Sequence, residues 1–168
     1  MDKSWFNHGY KYLFTCIDVF SKKADIIPLK DRDQQTSANA FEKILSFMGT
    51  PKTVYSDQGS EFKNKTFQKV LDKPNIQIIF TISHAPFIEA FNRTIKNRLV
   101  QYMNLLNTKN WSEILQSVLD AYNNTKHSAT GVALNDVSNK NELQIAIKPK
   151  SKAKQRQAII QIFMLVIV

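Results

Sequence analysis

Thr53-Val54-Tyr55-Ser56-Asp57-Gln58-Gly59-Ser60-Glu61-Phe62 is a short β-branched and aromatic run that breaks at once into a polar turn. Such a run reads as a strand whose end presents a carboxylate, Asp57. Just upstream, residues 37–48 set Ala40, Phe41, Ile44, Leu45 and Met48 at helical spacing. Thr36 or Ser37 is the expected N-cap, and Gly49-Thr50-Pro51 the stop. Downstream, Thr66 to Asp72 predicts a short helix and Ile76 to Ile82 a further strand. Working outward, Tyr10 to Val19 and Ala24 to Leu29 read as a hairpin about the turn Phe20-Ser21-Lys22-Lys23. On the other side, Phe87 to Leu105 carries Ile88, Phe91, Ile95, Leu99 and Tyr102 at steps of three and four, and Trp111 to Tyr122 repeats the period. The order β-β-α-β-α-β-α-α predicts an α/β fold, a sheet with helices on its faces.

The 168 residues fit one domain with a real core, and the 43% hydrophobic content is that of a globular protein. A net charge of +9 and a pI near 9.6 favour a polyanionic partner through counterion release. One cysteine, Cys16, excludes an intrachain disulfide and sits in an apolar run where burial is expected. The three histidines are scattered and lack cysteine partners, which excludes a zinc site. Four isolated glycines make no phosphate loop. Residues 1–7 hold no apolar signal core, and no membrane partner is expected.

The C-terminal part changes character. Residues 139–157 have linker-like composition, and Lys148 to Arg156 holds five basic residues in nine. Residues 158–168 are almost wholly apolar, yet shorter than the roughly 20 residues of a bilayer-spanning helix. A late edge strand, an interfacial anchor and unselected read-through sequence all fit this tail. The last is the expectation, since so sticky an edge strand invites aggregation. The chain is thus divided into a core (1–138), a basic linker (139–157) and a hydrophobic tail (158–168).

Helical geometry puts Glu89, Asn92, Arg93 and Lys96 at i, i+3, i+4 and i+7, on one face of the long helix. An exposed face with one Glu–Arg pair is the ordinary reading of that pattern. Paired with Asp57 at a strand end, Glu89 instead suggests two oxygen ligands for Mg²⁺, with cations alongside to hold a phosphate backbone.

Four segments carry a family resemblance: Asp18-Val19-Phe20-Ser21-Lys22, Ser56 to Phe62, Ile88 to Lys96, and Tyr122-Asn123-Asn124-Thr125-Lys126-His127-Ser128-Ala129-Thr130-Gly131. In this order they resemble the catalytic core of retroviral-type integrases, and are most similar to those of Polinton/Maverick DNA transposons. The resemblance runs from about Gly9 to Glu142. It implies an RNase H-like mixed sheet flanked by helices, and DNA integration by metal-dependent polynucleotidyl transfer of transposon ends into target DNA. An Asp-Asp-Glu (DDE) triad with two Mg²⁺ or Mn²⁺ ions is implied as well. On that implication Asp57 and Glu89 are the second and third catalytic, metal-binding carboxylates, and Asn92, Arg93 and Lys96 contact DNA. Action in the nucleus and a homo-oligomer are further implications.

The sequence departs from the pattern in three places. The first catalytic Asp belongs on a strand upstream of Gly9, so that residue and part of the first strand are expected to lie outside this sequence. Asp18 ends the second strand of the pattern, where its expected role is to cap the following turn, and Asp2 is no substitute. Asp57 and Glu89 are 32 positions apart, a few fewer than usual, with the shortening near His84-Ala85-Pro86, and Leu134 stands where proline is common. Two readings follow. One is an active integrase core, and the other a catalytically dead, truncated remnant that keeps only nucleic-acid binding.

Overall fold

A computed structural model describes residues 7–81, 86–126, 133 and 162–167. The apolar runs found in the sequence become β1 (Tyr12–Asp18), β2 (Ala24–Leu29), β3 (Thr53–Ser56) and β4 (Gln77–Phe80). The periodic segments become α1 (Gln34–Met48), α2 (Lys65–Asp72), α3 (Pro86–Leu105) and α4 (Trp111–Asn123). β4 is shorter than the expected 76–82 strand, and Ile82 lies outside the described residues.

The fifth strand comes from the chain's far end. Ile162–Ile167 form β5, which sits in the middle of the sheet order β2-β1-β5-β3-β4. It runs antiparallel to β1, with Cys16 opposite Leu165, and parallel to β3, with Ser56 opposite Leu165. The sequence reading had this segment within a tail outside the core. A middle strand resolves the edge problem that motivated that reading, because both rows of backbone groups are paired.

Each sheet face is closed by two helices. On one, α1 and α2 bring Phe41, Ile44, Phe67 and Leu71 onto Phe14, Val54, Phe163 and Leu165. On the other, α3 and α4 set Ile88, Phe91, Ile95, Leu115 and Val118 against Leu13, Ile17 and Ile26. Alternation of side chains along β1 divides Phe14 and Cys16 from Leu13 and Ile17 in this way. The α1 cap differs from expectation. Asp33, not Thr36 or Ser37, is the N-cap, and its carboxylate accepts the Thr36 N–H at 2.8 Å and the Thr36 hydroxyl at 3.0 Å. Thr36 is therefore the bonded partner within the first turn. Gly49 ends the helix at φ 88°, a backbone position that suits glycine, and donates its N–H to Leu45.

Candidate functional site

The first family-like segment is structural. Asp18, at the end of β1, accepts the Phe20 N–H at 3.2 Å, the Ser21 N–H at 3.2 Å and the Ser21 hydroxyl at 2.5 Å. It caps the turn, as expected, and both its oxygens are occupied there. Lys22 follows at φ 64°, with its Nζ donating to the Val19 carbonyl at 2.6 Å, and burial pushes its pKa down against the pull of Asp18. Cys16 is fully buried, which pushes its thiol pKa well up, so it is no nucleophile.

Tyr122 and Asn123, from the last family-like segment, clamp the same hairpin. The Asn123 side chain accepts the Ala24 N–H at 3.1 Å and donates to the Ala24 carbonyl at 2.9 Å. The Tyr122 hydroxyl donates to the Lys22 carbonyl at 3.3 Å, and its pKa is pushed up to about 12 by burial, opposed by Arg98. These roles were not visible in the sequence, because they join residues about a hundred positions apart.

Asp57 stands just past β3, exposed, with Oδ1 accepting the Gly59 N–H at 3.2 Å. This Asx-type bond explains why a polar turn starts at the strand end. Glu61 folds back over Gly59, where an added Cβ would lie 2.5 Å from Oε2. Glycine at 59 therefore permits the buried Glu61, a carboxylate the sequence reading passed over. Glu89 lies in the first turn of α3, where a carboxylate opposes the positive end of the helix dipole. Glu89, Arg93 and Lys96 are exposed on that helix. Asn92 is set apart from them, half-buried, with a buried Oδ1 that has no hydrogen-bond partner among the described residues.

Among the described residues, no group of three or more His, Cys, Asp or Glu side chains could hold a metal ion. The strand between β1 and β3 reads Ile-Phe-Met-Leu-Val-Ile and contributes no carboxylate. The described residues therefore do not make up the complete three-carboxylate, two-ion site that the resemblance implies for the intact family. Among the described residues, no helix is long and apolar enough to cross a membrane.

Residues 1–86 match the family described as Integrase core domain. A transposon-derived protein of Caenorhabditis elegans is 32% identical over 128 residues, which cover 74% of this chain and 45% of that protein. The Tf2-3 transposon polyprotein of Schizosaccharomyces pombe is 28% identical over 128 residues, 73% of this chain and 10% of the polyprotein. The chain thus spans less than half the length of these relatives. The HTLV-2 integrase catalytic core domain, solved in complex with magnesium in a trimeric form, superposes with a TM-score of 0.65 at 24% identity. The match covers 74% of this chain and 83% of that one, and shows a shared fold.

Proposed function

We propose, for a chain that belongs to the integrase core domain family and has its RNase H-like fold, that it is the DNA-holding core of a transposon-type integrase. The observation that carries this reading is the exposed row Glu89, Arg93 and Lys96 on α3, in a chain of net charge +9. Arg93 and Lys96 contact phosphates, and Asn92 supports them from the half-buried side. Asp57 and Glu89 are the metal-binding pair of that family's chemistry, one carboxylate short of its triad among the described residues. DNA is the partner, with the four motifs favouring the Polinton/Maverick branch and its nuclear setting. Residues 1–138 hold the four family motifs, β5 completes the sheet of the core, and 139–157 is a basic segment that adds phosphate contacts.

The test is duplex DNA binding against salt. Affinity should fall steeply from low to moderate salt, and Arg93→Ala with Lys96→Ala should flatten the log–log slope by roughly 1–2 without changing thermal stability. A double variant with an unaltered slope would remove α3 from the interface.

The second reading is full DNA integration with Mg²⁺ or Mn²⁺, supported by the magnesium complex of the HTLV-2 core. It requires a third carboxylate beside Asp57 and Glu89, because two alone do not complete the family's triad. Strand transfer of labelled transposon ends that is present in this chain and lost in Asp57→Asn would favour it over the binding reading.

A further inference from the structure

The sheet depends on β5, the last of its described strands. Without β5 it divides into two pairs, β2-β1 and β3-β4, because β1 and β3 are each hydrogen-bonded to β5. The slot between them has two unpaired strand edges and, on the α1/α2 side, two vacancies that Phe163 and Leu165 fill completely. Every other described element precedes residue 127, so the slot stays open until β5 emerges. Open strand edges are templates for a strand from any chain that offers the right one.

We propose that this slot is a strand-acceptor site that also takes β5 from a second copy, so that two chains trade their terminal strands. A tail from a neighbour makes the same pairs with β1 and β3 as the chain's own, with the same register. No tight turn ties β5 to either neighbour in the sheet, unlike β1 and β2. Between Ala133 and Ile162 lie 28 positions, whose fully extended limit of about 100 Å exceeds the ~30 Å breadth of a small domain. The chain's own strand and a partner's are thus separated only by tether and concentration, and reciprocal trading closes into a dimer. The chain's own tail wins in dilute protein, and exchange rises as chains fold together at higher concentration.

The sole cysteine supplies a trap. Cys16 is opposite Leu165 across β1 and β5, and both side chains are buried in the same cluster. Antiparallel partners have Cα atoms about 4.5–5.5 Å apart, within the roughly 4.4–6.8 Å a disulfide spans. Full-length chain carrying Cys16→Ala and Leu165→Cys is unfolded, mixed with unsubstituted chain, refolded at several concentrations and oxidised. The expected product is a disulfide joining Cys16 of one chain to position 165 of the other, identified by peptide mapping, with a yield that rises with refolding concentration. Absence of that link at every concentration, while Leu165→Cys alone closes an intrachain disulfide, overturns the exchange. So does failure of both links, which removes β5 from the slot. Light scattering on refolded, unsubstituted chain gives an independent reading: a dimer fraction that grows with refolding concentration supports the proposal, and monomer throughout refutes it.

Discussion

On the α1/α2 face, ring contacts run from Phe14 to Phe62 at 5.9 Å, on to Phe67 at 5.2 Å and to Phe41 at 5.2 Å, with Phe163 in the same cluster. The α3/α4 face is mostly aliphatic, and its cover is fastened by the polar clamp of Tyr122 and Asn123 on the β1–β2 hairpin. One face is therefore completed by side chains from the end of the chain. On the other face, the described core residues all precede residue 127. The contrast sets what the fold owes to Phe163 and Leu165 against what the Tyr122 and Asn123 clamp holds. Phe163→Ala should reveal it most strongly, since truncating a fully buried Phe typically costs about 3–5 kcal/mol. Ile95→Val, on the other face, should cost about 1 kcal/mol. Urea unfolding measures both losses, and a Phe163→Ala loss as small as that of Ile95→Val would mean that the Phe163 ring is not packed in the core.

The clamp predicts a smaller loss with a local signature. Asn123→Ala leaves the Ala24 N–H and carbonyl without side-chain partners in a buried setting, for a destabilisation of about 2 kcal/mol. Its distinctive mark is amide exchange. Ala24 should lose protection well before Phe14 or Val54, because only the hairpin end is released. Uniform loss of protection through the sheet would make Asn123 part of the global core instead.

These differences track what could be read from the sequence. Strands β1 to β4 and helices α1 to α4 were legible because each is a local pattern, alternating or periodic, with Gly49 and Pro51 to punctuate the end of α1. Asp57 at a strand end and Glu89 early in a helix were legible for the same reason. The apolar run at 162–167 was visible but its place was not, since a short apolar run does not specify its partners. The α1 cap was misplaced because capping preferences allow Asp33, Thr36 and Ser37 alike, and only the Asp33–Thr36 bond decides. The clamping role of Asn123 and the burial of Asp25 escaped notice because their environments are assembled by α4, β1 and β2 together.

Asp25 supplies the smallest effect, with a sign that can be worked out. It is half-buried on β2, with Oδ1 accepting the Ile26 N–H at 2.8 Å and Oδ2 buried without a partner among the described residues. Burial raises its pKa above the usual carboxylate range, against the opposing pull of the Ile26 N–H and Lys23. The folded state therefore holds this proton to higher pH than the unfolded chain. Below the ordinary carboxylate pKa both states are protonated and the group has no net effect. As pH rises through the raised folded value, the charged form is penalised in the folded state, and the penalty is complete above that value. Asp25→Asn imitates the protonated form, so it should stabilise the protein at neutral pH, by less than about 1 kcal/mol given the exposed part of the site. The advantage should shrink towards zero on acidification. Paired melts of parent and variant across that range test the sign, and an advantage that widened in acid would place Asp25 among stabilising, rather than penalised, carboxylates.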